Sequence, residues 1–237
     1  MRVAALYDVH GNLPALEAVL TEVEREGIDE IVCGGDVVWG PFPSECLALL
    51  RSAGATFLAG NCEREVLAGE SEKGRWCRDR LDEETRAFIA SWPLTLSRDV
   101  EGLGRVLFCH ATPRSDLEIV TTLTPDEEVA ESLSGVDADL VVCGHTHVQY
   151  DRRVPDAPRL VNVGSVGLAY EGLPTACWGV LAGEVQLRRE PLDPEVVLAA
   201  LHETGFPDVH EVFDEAIRGQ HTADEVTAFF ESQRRGA

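Results

Sequence analysis

The chain has 237 residues, 44% hydrophobic and 26% charged, with a formal net charge of −22 at pH 7. That length holds one sizeable core, with or without a small appendage. Such acidity argues against an extended nucleic-acid partner, whose phosphates would be repelled over most of the surface, and no apolar run approaches the length that crosses a bilayer.

Met1 to Tyr7 is interrupted by Asp8 too soon for a signal peptide, so a cytoplasmic location is expected. Seven cysteines without a Cys-x-x-Cys pair fit a reduced compartment. Cys33, Cys109 and Cys143 lie in apolar strand-like runs and read as small buried hydrophobes.

Arg2 to Tyr7 reads as a first strand. Asn12 caps a helix with Pro14 in its first turn, and Leu13, Leu16, Leu20 and Val23 mark its buried stripe. Gly27 ends it. Ile28 to Cys33 is the second strand, Ser44 to Ala53 a helix, and Ala55 to Ala59 the third strand. This alternation predicts parallel strands with right-handed crossovers. Glu63 to Asp82 is polar and weakly patterned, and is expected to be a cap or loop over a cleft. Arg105–Phe108 and Leu140–Cys143 follow as strands. Val148–Arg153, Arg159–Val163, Thr175–Leu181 and Glu184–Glu190 suggest a second, partly antiparallel sheet. From Asp193 onward two or three amphipathic helices are expected, broken at Phe206-Pro207 and Arg218-Gly219. That tail either covers the sandwich edge or pairs with a second copy, and its apolar stripe leaves a homo-oligomer open.

Metal-type side chains recur beside glycine at the ends of the strands: Asp8-Val9-His10-Gly11, Gly34-Gly35-Asp36, Gly60-Asn61-Cys62-Glu63, Cys109-His110 and Gly144-His145-Thr146-His147. Ligand sites in open α/β sheets form at that edge. One residue separates Asp8 from His10, so both can face one way in extended chain. Carboxylate, amide oxygen and imidazole together suit Mn, Fe, Zn, Co or Ni rather than a closed thiolate zinc site.

In this order the motifs resemble the calcineurin-like metallophosphoesterase superfamily. Gly35-Asp36-Val37-Val38-Trp39-Gly40-Pro41-Phe42-Pro43 and Gly60-Asn61-Cys62-Glu63 are similar to its small prokaryotic branch of phosphodiesterases and diadenosine-tetraphosphatase-like proteins. Asn162-Val163-Gly164-Ser165 is similar to the family's Asn-Pro-Gly-Ser turn, with valine for proline. The resemblance spans residue 2 to about 190. It implies an α/β fold, a four-layer αββα sandwich of two mixed sheets flanked by helices, in one domain over residues 1–237 with a helical C-terminal extension from about 191.

The same resemblance implies two divalent or trivalent transition-metal ions. Asp8, His10, Asp36 and His147 would hold the first, and Asp36, Asn61, His110 and His145 the second, with Asp36 bridging. Asp36, Asn61 and His110 would then be catalytic as well. It further implies hydroxide attack on phosphorus between ions roughly 3.5–4 Å apart, and a small phosphate-ester or nucleotide substrate. The alternatives are a phosphoprotein phosphatase and a metal-free protein-interaction scaffold.

Many members carry a histidine after Gly-Asn as leaving-group acid. Here Cys62 stands there, and it is expected to be a wall residue, so that good leaving groups are favoured. Glu63 either orients a neighbour or is a solvated loop residue. Arg64 and Arg114 could meet a phosphate, with surface ion pairing the better expectation. Trp39 and Tyr170 either stack on a base or pack. His202, His210 and His221 are expected to be ordinary surface residues.

Overall fold

The computed structural model describes residues 1–236, so Ala237, the last residue of the expected extension, lies outside the described residues. The chain begins with β1 (Val3–Leu6), α1 (Leu13–Arg25), β2 (Glu30–Cys33), α2 (Pro43–Ser52) and β3 (Thr56–Phe57). Three short helices follow, α3 (Asn61–Ala68), α4 (Glu72–Arg78) and α5 (Glu83–Ala90), and then the hairpin of β4 (Thr95–Val100) and β5 (Gly104–Cys109). After α6 (Asp126–Ser132) come β6 (Leu140–Cys143), β7 (Tyr150–Arg152), β8 (Arg159–Asn162), β9 (Thr175–Leu181) and β10 (Val185–Pro191). The chain finishes with α7 (Pro194–His202), α8 (Val209–Ile217) and α9 (Ala223–Gly236).

Two mixed sheets result, ordered β10-β9-β1-β2-β3 and β4-β5-β6-β8-β7. β1, β2 and β3 run parallel, as do β5, β6 and β8, while β9, β10, β4 and β7 pair antiparallel. Period-two alternation sorts the side chains into layers. Ala4 and Leu6 of β1 face the helices with Leu16, Val19, Leu198 and Phe213, whereas Val3, Ala5 and Tyr7 enter the space between the sheets. Val106 and Phe108 of β5 meet them there, and Val141 and Cys143 of β6 face outward under Val129 of α6 and Leu133 just after it. Helices, sheet, sheet and helix thus form the four-layer αββα sandwich. Phe108 is fully buried in the middle layer, where truncation to alanine would cost about 3–5 kcal/mol.

The Asn12 cap is present, its side chain accepting from the Ala15 amide, and Pro14 lies in the first turn of α1. The tail breaks at the two expected positions, and α7 and α8 share the helix-side core. Three local expectations fail. Thr175–Leu181 and Glu184–Glu190 do not join the second sheet: β9 pairs with β1, so β9 and β10 extend the first sheet instead. Residues 63–82 are not a loop: α3 begins at Asn61 itself, and α4 follows with its own serine cap. Their buried stripes are narrow (Val66, Cys77), so periodicity was faint. The third strand pairs only at Thr56–Phe57, because the Ala59 amide turns to the Pro93 carbonyl and lifts the chain toward Gly60. β4, not among the expected strands, is an edge strand of the second sheet. Among the described residues no helix is long and apolar enough to cross a membrane.

Candidate metal centre at the strand ends

The parallel strands end together, and the residues that follow them converge. Asp8 and His10 leave β1, Asp36 leaves β2, Asn61 opens α3 just beyond β3, His110 follows β5, and His145 and His147 follow β6. Five of these seven, Asp8, His10, Asp36, His145 and His147, have positive φ between 47° and 68°. Among the described residues only Asp156 and Asp208 are other non-glycine cases. Such backbone costs on the order of 1–3 kcal/mol per residue and clusters at functional sites. Here it turns successive side chains into one cleft rather than onto alternate faces.

Hydrogen bonds secure these turns. The His10 and Gly11 amides donate to the Asp36 and Val37 carbonyls at 2.8 and 3.0 Å, locking the first two loops together. Asn162 donates to the Gly144 carbonyl at 2.5 Å, and the Ser165 hydroxyl donates to the Asp8 carbonyl at 2.7 Å, tying the β8 turn to both neighbours. Glu63 sits under the bridging position. Its carboxylate accepts from the amides of Asp36, Val37, Val38 and Gly60 at 2.8, 2.7, 3.3 and 2.8 Å, and it is buried. The solvated-loop reading of Glu63 is therefore wrong, and its anchoring role needed the fold to be seen. Gly60 and Gly144 allow close approach: a Cβ would stand 2.2 Å from Asp36 Oδ1 at the first and 2.3 Å from Asp8 Oδ2 at the second.

The imidazoles are aimed by their outer nitrogens. His110 Nδ1 donates to the Gly34 carbonyl at 3.0 Å, and His147 Nδ1 to the Leu168 carbonyl at 2.9 Å, so both Nε2 lone pairs face inward. His147 Nε2 lies 3.2 Å from His10 Nε2 and 3.5 Å from Asp8 Oδ1. His110 Nε2 lies 3.5 Å from Asp36 Oδ2 and 3.0 Å from the Asn61 side-chain amide. In the amide orientation that satisfies its surroundings, Asn61 donates to His110 Nε2 at 3.0 Å, His145 Nδ1 at 3.1 Å and the Asp116 carbonyl at 3.2 Å, and its oxygen accepts from the Cys62 amide at 3.3 Å. Asp8 Oδ1 and His10 Nδ1 are buried without a hydrogen-bond partner. An orphaned carboxylate oxygen buried among imidazoles and a second carboxylate is a mixed oxygen and nitrogen donor set that fits metal ions. Among the described residues three groups here are close enough to hold one: Asp8, His10 and His147; Asp8, Asp36 and His110; and His10, Asp36 and Cys62.

The electrostatics agree. Burial, then the neighbouring His147, pushes His10 down to about 4; burial, then His110, does the same for His145. Both present neutral imidazole at neutral pH, the ligating form. Burial pulls His110 down too, but the Asp36 and Asp8 carboxylates outweigh it and raise its pKa. Burial raises Asp8 and Asp36, yet the histidines around them prevail and hold both below the usual carboxylate range. Glu63 is pushed up to about 7 by burial and then by the Asp36 charge.

Cys62 is brought into the cleft, its sulfur within 4.8 Å of ligand atoms of His10 and Asp36. Its amide donates to Asp36 Oδ1 at 2.9 Å, and burial, then the Asp36 charge, pushes its thiol well up. Arg64 lies on the rim, paired with Asp116 at 2.6 Å and 54% exposed. Arg114 is taken by Glu118 at 2.5 Å. Trp39 stands edge-on to His10 at 5.6 Å and to Phe206 at 5.3 Å, with Nε1 donating to Glu65. Tyr170 stacks on His147, ring centres 5.4 Å apart.

Residues 1–186 match the family model of the calcineurin-like phosphoesterase superfamily domain. An uncharacterised protein of Methanocaldococcus jannaschii is 31% identical over 202 residues, covering 74% of this chain and 80% of that protein. A metallophosphoesterase from Sphaerobacter thermophilus superposes with a TM-score of 0.74 at 26% identity, over 92% of this chain and 100% of that one. A hypothetical protein from Pyrococcus horikoshii OT3 superposes at 0.76 with 18% identity, over 92% and 98% of the two chains, a likeness of fold.

Proposed function

The chain belongs to the calcineurin-like phosphoesterase superfamily and is a metal-dependent phosphoric ester hydrolase, and on that premise we propose that its strand-end cluster takes two transition-metal ions and hydrolyses a nucleotide-type phosphodiester or phosphoanhydride. Asp8, His10, Asp36 and His147 would hold one ion and Asp36, Asn61, His110 and His145 the other, Asp36 serving both. When bound, the ions supply Lewis-acid polarisation of phosphoryl oxygens and a water acidified to act near neutral pH.

The chain's own residues prepare the site for this. His10 and His145 are already neutral and shed no proton on ligation. The Gly34 and Leu168 carbonyls hold His110 and His147 in the tautomer with Nε2 inward. Glu63 keeps the Asp36 loop in place through its backbone amides. Trp39 walls the cleft beside His10, and exposed Arg64 reaches an incoming phosphate by exchanging it for Asp116.

Substrate class rests on Cys62. Its thiol stays neutral and is a weak hydrogen-bond donor to a departing oxyanion. Leaving groups stable without protonation, such as nucleotides, polyphosphates and aryl phosphates, are therefore favoured over simple alkoxides.

The observation that carries the metal reading is the buried donor set: Asp8 Oδ1 has no hydrogen-bond partner and lies 3.5 Å from His147 Nε2, whose lone pair faces His10 Nε2 at 3.2 Å. Two measurements test the proposal. Metal analysis after metal-replete expression is expected to find close to two ions per chain, and none would end the catalytic account. A panel of an aryl phosphodiester, an aryl monoester, diadenosine tetraphosphate and a phosphopeptide separates the substrate classes. Preference for the phosphopeptide would replace this reading with a protein phosphatase.

A further inference from the structure

α7 and α8 pack against each other across the loop 203–208. His202 is the last residue of α7, while His210 and Asp214 are one turn apart on α8 and so share a face. His202 Nε2 lies 2.7 Å from Asp214 Oδ1, and His210 Nδ1 lies 3.5 Å from Asp214 Oδ2. The two imidazole rings approach to 3.9 Å between centres. One ligand atom from each residue lies within 4.8 Å of the other two. The nearby basic side chains are engaged elsewhere: Arg218 pairs with Glu195, and Lys73 pairs with Asp208 at 2.5 Å. Among the described residues the Asp214 side-chain oxygens pair with the two histidines.

We infer that His202, His210 and Asp214 form a zinc site on the C-terminal helices, separate from the strand-end cluster. Two imidazoles and one carboxylate are a mixed nitrogen and oxygen set that Zn²⁺ accepts, with a fourth tetrahedral position for water. Mg²⁺ and Ca²⁺ prefer oxygen ligands throughout and are poorer occupants. The net charge of −22 raises the local concentration of divalent cations around such a surface site.

The ion acts as a clip. It joins the end of α7 to the first two turns of α8, and the loop between them carries Phe206. That ring stands edge-on to Trp39 and to Trp76, each at 5.3 Å, and Trp39 in turn stands edge-on to His10. Zinc at the clip therefore braces the aromatic wall behind His10, linking metal availability to the stiffness of the catalytic cleft. His202 and His210 are thus more than ordinary surface residues.

Equilibrium dialysis of the full chain against zinc chloride, with bound zinc counted by plasma mass spectrometry, tests the site. The native chain is expected to hold one zinc more than His210→Ala and one more than Asp214→Asn, whatever number the strand-end cluster takes in all three. Because His210 is 65% exposed, its replacement removes a ligand and not a piece of core. Zinc is also expected to raise the native Tm by roughly 5 °C more than that of His210→Ala. Equal zinc counts in the native chain and both variants would overturn the inference, as would equal zinc-induced Tm shifts.

Discussion

His10 and His147 stand 137 positions apart in the chain, yet their Nε2 atoms face each other at 3.2 Å. The His147 proton is committed to the Leu168 carbonyl through Nδ1, so its Nε2 offers a lone pair to the gap. Only a proton or a metal cation can sit between two such nitrogens. Asp8 and Asp36 place their negative charge beside the same gap, at 3.5 Å from His147 and 3.8 Å from His10, and so favour the cation.

Competition between proton and metal sets a pH dependence. His110 has its pKa raised by the Asp36 and Asp8 carboxylates against the pull of burial, and Glu63 sits at about 7 through burial and the Asp36 charge. His10 and His145, held at about 4, carry no proton to lose. Metal uptake near pH 7 should therefore release protons, and affinity should rise between about pH 6 and 8 before levelling off. Calorimetric titration with manganese in two buffers of different ionisation enthalpy measures the release. A buffer-independent heat at pH 7 would contradict this.

Glu63 holds four backbone amides with one carboxylate. Glutamine in its place turns an NH₂ group toward those donors. Glu63→Gln is expected to lose about 2–3 kcal/mol of stability and about 10–100-fold in metal affinity. Urea unfolding and metal titration would read the two effects.

At Gly60, φ is −102° and ψ −178°, a backbone that alanine adopts freely. The obstacle is only space, because a Cβ would meet Asp36 Oδ1 at 2.2 Å and His110 Nδ1 at 2.9 Å. Gly60→Ala should keep the fold by circular dichroism while activity on an aryl phosphodiester falls by about 100-fold or more.

Cys62 tests the leaving-group argument. If the thiol is a wall and not an acid, Cys62→Ala and Cys62→Ser should keep turnover of an aryl phosphodiester within about 3-fold, well short of the 10²–10⁴-fold of a lost general acid. Loss of that turnover with the metal content unchanged would show that the sulfur takes part in the chemistry.

Phe206 is buried between Trp39, Trp76 and Phe213. Phe206→Ala should cost about 3–5 kcal/mol, seen as a lower denaturation midpoint with an unchanged slope. A loss below about 1 kcal/mol would mean that the C-terminal helices are not integral to the core.

The amino-acid sequence by itself determined which donor types follow which strands. Asp8 and His10 after β1, Asp36 after β2, and His145 and His147 after β6 were legible because a strand, a glycine and a polar side chain are neighbours along the chain, and backbone propensity is local. Where the local signal was thin it misled, as in α3 and α4, whose buried stripes are a few residues wide.

Only the tertiary structure decided which lone pairs meet. The left-handed turns at Asp8, His10, Asp36, His145 and His147, the carbonyls that set the tautomers of His110 and His147, and the burial of Glu63 beneath four amides all depend on chain segments far apart in sequence. The meeting of His202 with His210 and Asp214 depends likewise on two helices packing. The physical reason is common to all of them. Strained backbone and buried charge are tolerated only where the surrounding packing supplies the compensating contacts, and packing is a property of the whole fold.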